Sequence, residues 1–301
     1  MIEIKGVTKK FDDITALNNV SAKINDGHVF GLIGTNGAGK STLMRTICGI
    51  FKPDEGQITV DGENVYENPK IKSQIFFISD DQYFFQNGTP NDMVRYYQTL
   101  YTTFDKERFY KLMSTLKLDP KRKINTFSKG MRKQLSVMLG VSANTRYLLC
   151  DETFDGLDPV IRQAIKSLFI GEMEERGLTP IIASHNLREL EDICDHVGLL
   201  HDGGILFSQD LDTMKLGMFK LQCVLQDKSQ LDLIAAQFPI LNKVESGMLT
   251  TLTLRGESDQ ISHLQMELQP VFWELLPLTL EEIFISEMEV KGYDFSKLYE
   301  Q

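Results

Sequence analysis

The chain has 301 residues, 42% hydrophobic and 25% charged, with a formal net charge of -10. That length supports one large domain plus a smaller one, and the composition excludes a disordered or membrane-embedded class. The acidic balance disfavours nucleic acid as a partner, because affinity for phosphate backbones comes largely from Lys and Arg displacing counterions.

From the amino end, Met1 to Val7 has strand character without a hydrophobic leader. No apolar run reaches the ~18 residues that span a bilayer, so the chain is expected to stay in the cytosol. Apolar runs at His28–Ile33, Ile75–Ile78, Tyr147–Cys150, Pro180–Ser184 and His196–Leu200 alternate with helical stretches. This pattern predicts an α/β fold on a largely parallel sheet. Asp61-Gly62 and Asp202-Gly203 read as hairpin turns that add antiparallel strands.

Between about Thr89 and Val141 the strand signal gives way to a helical insert, opened by Thr89 as N-cap and Pro90 in the first turn. After Met214 the pattern changes, which sets domains at 1–214 and 215–301. The second predicts strands at 218–226, 241–246, 249–255 and 271–276 and helices at 229–238 and 258–268, the βαββαβ order of a ferredoxin-like α+β unit. An amphipathic helix from Thr279 to Glu289, with Leu280, Ile283, Phe284 and Met288 near one face, closes the chain. Residues 216–301 hold 6 basic and 13 acidic side chains, so most of the negative charge lies in this tail. Cys48, Cys150, Cys194 and Cys223 form no CxxC pair and read as reduced thiols.

Gly34-Thr35-Asn36-Gly37-Ala38-Gly39-Lys40-Ser41 fits GxxxxGK[ST] and stands between a predicted strand and the helix that starts near Ser41. Its glycines let successive N–H groups converge on an anion, and the following helix turns its partly positive end to the same point. Lys40 is expected to bridge β- and γ-phosphate oxygens, Ser41 to ligate Mg²⁺, and Thr42 to add a polar contact. The apolar strand Tyr147-Leu148-Leu149-Cys150 ends in Asp151-Glu152, with the two side chains on opposite faces. Asp151 suits a Mg²⁺ water shell, and Glu152 suits a base that orients attacking water. His185, at the end of another buried run, is placed to donate to a γ-phosphate.

Phe127-Ser128-Lys129-Gly130-Met131, which opens a helix ahead of the acidic strand, resembles the LSGGQ signature of ABC ATPases. Phe11 at the A-loop position, the D-loop-like Asp155-Gly156-Leu157-Asp158-Pro159 and the switch-like His185 extend the resemblance over residues 1 to about 213. The resemblance implies a P-loop NTPase (RecA-like) core with an antiparallel β-subdomain, Mg-ATP as substrate, and adenine stacking on Phe11. It also implies a head-to-tail homodimer or heterodimer with a second ABC ATPase subunit, in which Ser128 and Gly130 meet the partner's ATP. A multi-span membrane permease would hold the chain at the inner face of the membrane. The carboxy-terminal extension is similar to that of bacterial exporter ATPases, while a soluble ABC ATPase with a non-membrane target is the alternative. At the Q-loop position stands Asp80-Asp81-Gln82, so either Asp80 substitutes or Gln82 serves out of register as the metal-side residue. Thr153, Asp155 and Met131 also depart from the family pattern.

Overall fold

The computed structural model describes residues 1–227 and 229–290. Strands β1 (Ile2–Phe11) and β2 (Ile14–Ile24) pair antiparallel across a tight turn in which Asp12 takes a left-handed φ of 49°. Strand β3 (Phe30–Ile33) is buried at all four positions, as a central strand covered on both faces must be. It begins later than the expected His28, because the Val29 N–H donates to the Asp195 carboxylate at 2.8 Å. Helix α1 (Lys40–Ile47), strands β4 (Glu55–Val60) and β5 (Glu63–Asn64), helix α2 (Pro69–Lys72) and strand β6 (Ile75–Ile78) follow.

The insert comprises α3 (Pro90–Leu100), α4 (Lys106–Thr115) and α5 (Lys129–Ser142). Thr89 and Asp92 form a reciprocal capping box at the start of α3, which satisfies two otherwise orphaned N–H groups. Strand β7 (Tyr147–Asp151), helix α6 (Pro159–Arg176), strand β8 (Thr179–Ser184), helix α7 (Leu187–Glu191) and strands β9 (His196–His201) and β10 (Gly204–Asp210) complete the cassette. Both Asp-Gly pairs take positive φ at both residues, as type I′ hairpin turns require.

Two sheets result, one ordered β2-β1-β4-β5 and one ordered β10-β9-β3-β8-β7-β6. The pairings of β3 with β8 and β9, of β7 with β8, and of β6 with β7 are all parallel. Leu43, Met44 and Ile47 of α1 share one core with Ile2, Val7 and Leu17 of the antiparallel sheet and Leu149 and Ile181 of the parallel one. At about 1.5–3 kcal/mol per large apolar side chain, this burial fixes α1, and with it the preceding loop, between the two sheets.

By its contacts the chain divides into Met1–Ser208 and Gln209–Gln301, a few residues before the expected boundary at 214 and within β10. The second unit holds α8 (Leu211–Leu216), β11 (Met218–Val224), α9 (Ser229–Gln237), β12 (Ile240–Ser246), β13 (Leu249–Arg255), α10 (Ser258–Leu268), β14 (Phe272–Pro277) and α11 (Leu280–Val290). Its antiparallel sheet is ordered β12-β13-β11-β14, the split βαβ arrangement of a ferredoxin-like unit. Leu221, Ile234, Leu252, Leu254, Ile261 and Leu264 form its core. The Met288 side chain, expected near one face of α11, lies outside the described residues. Among the described residues no helix is long and apolar enough to cross a membrane.

The insert is tied to the cassette by charge as well as by packing. Glu172 on α6, fully buried, accepts from Arg108 of α4 and from Arg176 Nε at 2.6 Å. Removing one member of such a cluster leaves charge uncompensated. Glu172→Ala should therefore lower unfolding free energy by about 3 kcal/mol in urea denaturation.

Candidate functional site

The phosphate-type loop is shaped by backbone that only glycine tolerates. Gly39 caps α1 with φ 104°, and a Cβ there would stand 2.5 Å from the Ala16 carbonyl. A Cβ on Gly34 would meet the Leu200 carbonyl at 2.6 Å. The loop is held from outside by the Gly203 N–H, which donates to the Ala38 carbonyl at 3.2 Å. The Asp202-Gly203 turn therefore belongs to the site, a role its hairpin signal alone could not reveal.

Beside the loop lies a cavity of about 550 Å³ whose lining includes Asn36, Gly37, Lys40, Ser41, Thr42 and Glu152. Thr35 is exposed at the loop tip and Ala38 is buried beneath it. Lys40 Nζ donates to the Gly34 and Thr35 carbonyls at 2.8 and 3.2 Å and lies 3.6 Å from Glu152 Oε1. The other Glu152 oxygen is 2.8 Å from His185 Nδ1. Three segments far apart in sequence thus converge on one carboxylate, because β3, β8 and β7 are neighbours in the parallel sheet and end at the same edge.

Glu152 takes φ 47°, a left-handed conformation that costs a side-chain-bearing residue about 1–2 kcal/mol. Its N–H donates to the Ala183 carbonyl at 2.9 Å, and its own carbonyl accepts from the Lys133 ammonium. This turn separates the two acids: Asp151 is only 1% exposed, whereas Glu152 faces the cavity.

Burial pushes the Asp151 carboxyl above the usual carboxylate range, partly offset by the Ser41 hydroxyl and raised further by Glu152. Asp151 Oδ1 has no hydrogen-bond partner. A buried, unsatisfied carboxylate oxygen beside a serine hydroxyl fits a hard divalent cation such as Mg²⁺. Among the described residues no three His, Cys, Asp or Glu side chains gather to hold a metal by themselves.

Of the two candidates at the Q-loop position, Asp80 lines the cavity and pairs with Lys133 at 3.3 Å. Gln82 instead donates to the Tyr97 hydroxyl at 3.1 Å and lines an adjacent groove. Phe11, 39% exposed, packs edge-on against Phe51 with ring centroids 5.1 Å apart and is not among the residues lining the cavity, where Ile14 stands. Ser128 caps α5 by accepting from the Met131 N–H at 3.2 Å, and neither it nor Gly130 lines the cavity of its own chain. Asp155 pairs with Lys129 at 2.9 Å, which accounts physically for an acid at that D-loop position and holds its carboxyl below the ordinary range.

A family model described as ABC transporter matches residues 17–155. The ABC transporter ATP-binding protein YtrB of Bacillus subtilis is 32% identical over 95% of this chain and 98% of its own length. The chain belongs to the ABC transporter ATP-binding proteins. As such it is an ABC-type ATPase subunit built on the P-loop NTPase fold. The bacitracin transport ATP-binding protein BcrA of Bacillus licheniformis is 26% identical over 97% of this chain and 96% of its own. The methionine import ATP-binding protein MetN of Legionella pneumophila (strain Lens) is 31% identical over 68% of this chain and 63% of its own. In fold, the cassette matches a dimeric bacterial ABC transporter cassette with a TM-score of 0.64, at 23% identity over 70% of this chain and 99% of that one.

The folded state favours protonated Asp151, so the ionised form opposes folding above its raised pKa, and the opposition fades as pH falls through it. Asp151→Asn should therefore stabilise the protein at neutral pH in EDTA, read as a higher melting temperature.

Proposed function

We propose that this chain binds Mg-ATP in the cavity beside Lys40 and hydrolyses it with Glu152 as base, driving a separate multi-span permease in the export direction. The observation that carries the reading is the Glu152 carboxylate held between Lys40 and His185 at the mouth of the glycine loop. A carboxylate so placed can orient water toward a terminal phosphate while Lys40 and the loop amides neutralise the charge that develops. His185 donates to the same phosphate group and keeps Glu152 aimed. Ser41 and Asp151 would hold Mg²⁺, which would spread the charge of the phosphate oxygens.

Ser128 and Gly130 stand away from their own chain's cavity, at the amino end of a helix that also carries Lys129 and Arg132. That separation supports a head-to-tail dimer, with a second copy or a second ABC ATPase subunit, in which each signature helix covers the other subunit's ATP. A groove of about 500 Å³, lined by Gln82, Tyr83, Phe84 and Phe85 among others, supports docking of a permease helix. Tyr83 is 74% exposed there, and contacts of this aromatic kind are enriched at the centres of protein interfaces. Peripheral attachment to the inner face of the membrane follows from that docking. The export direction is supported by likeness that runs through the second unit to the bacitracin transport relative of Bacillus licheniformis, which matches 97% of the chain.

Glu152→Gln should retain ATP binding while turnover falls by about 10²–10⁴-fold. Size measurement of that variant with Mg-ATP should show dimer, and monomer alone would count against the sandwich arrangement. Lys40→Ala should lose saturable Mg-ATP binding in equilibrium titration, and unaltered binding would overturn the reading of the cavity.

A further inference from the structure

Lys133 lies on the signature helix α5 with only 7% of its surface exposed, and the site described above assigns it no function. A buried ammonium is tolerated only where its charge and its three donors find partners. Here they come from two segments, the ends of β6 and β7. The ammonium donates to the backbone carbonyl of Glu152. It lies 3.3 Å from Asp80 Oδ1, just beyond the end of β6, and 3.9 Å from Asp155 Oδ2, in the turn beyond β7.

Two of these partners occupy sensitive positions. The Glu152 carbonyl belongs to the left-handed residue that aims the carboxylate, and Asp80 lines the cavity itself. Lys133 also lines a smaller cavity of about 270 Å³ together with Asp80, Gln82 and Thr153. A left-handed conformation at a side-chain-bearing residue persists only where surrounding contacts over-determine it. The N–H of Glu152 is held by Ala183 of the neighbouring strand, and the carbonyl is held by Lys133.

We propose that Lys133 is a positioning residue for Glu152. Its ammonium holds the peptide that follows the base, and its ion pair with Asp80 ties that peptide to the cavity wall. The signature helix and the base are thereby coupled within one subunit, so that displacement of α5 by a partner subunit is felt at Glu152. This rests on the ATPase reading of the site. It differs from a merely structural role, which would affect folding without selectively affecting turnover.

The full-length chain tests it through Lys133→Met, which keeps the length and removes the donors, and Lys133→Arg, which keeps charge and donors. Hydrogen exchange on the nucleotide-free proteins should show faster exchange across residues 152–156 in Lys133→Met than in wild type, with protection recovered in Lys133→Arg. With ATP, Lys133→Met should lower kcat by about 10–100-fold, as expected when a supporting contact behind a reactive group is lost. The KM for ATP should stay within about twofold, since no group touching substrate has been removed. Asp80→Asn should add less to Lys133→Met than it removes from wild type, the signature of shared coupling. Unchanged exchange across 152–156 in Lys133→Met would overturn the proposal, even if the wild-type protein turned out not to hydrolyse ATP. So would active wild type with an unaltered kcat in Lys133→Met, or losses of kcat and ATP binding that merely track a lowered melting temperature.

Discussion

The Glu152 carboxylate lies between the Lys40 ammonium and the His185 ring, and this shared contact requires three strand ends to meet at one sheet edge. In an open parallel sheet the carboxyl ends of adjacent strands open onto a common crevice, where ligands bind. Here β3 delivers the glycine loop, β7 the two acids and β8 the histidine. The burial of α1 between the two sheets keeps the loop from shifting relative to the acids.

The two neighbouring acids are given different surroundings, and hence different chemistry. Asp151 is buried beside Ser41 with an oxygen unsatisfied, an environment that penalises its charge. Glu152 is turned out of the strand by its left-handed backbone and keeps both oxygens in contact with cationic or donor groups. The conformational penalty of that turn is offset by hydrogen bonds at both ends of the residue. Asp80, Asp155, Lys129 and Lys133 form a web of ion pairs around the same edge. Departures from the family pattern at Asp80 and Asp155 are thus matched by a cation nearby, and Asp80 retains a place on the cavity wall.

Most elements were legible because their signals are local. Thr89-Pro90 announced a capped helix, the Asp-Gly pairs announced hairpin turns, and the strands and helices of the second unit follow a period readable within each segment. Where expectation and structure differ, a distant partner is the cause. Asp195 takes the Val29 N–H and shortens the start of β3. The Phe11 ring, which the family resemblance places beside adenine, packs edge-on against Phe51.

By itself the sequence determined the glycine loop, the acidic strand end, the order of elements and the family resemblance, because each is set by residue types that the local backbone demands. Only tertiary structure decided that Asp80 rather than Gln82 faces the cavity, that the Asp202-Gly203 turn braces the loop, and that Lys133 reaches the Glu152 carbonyl. Those outcomes join positions tens of residues apart, and no local pattern records which of several lysines or acids the packing will bring within reach of one another.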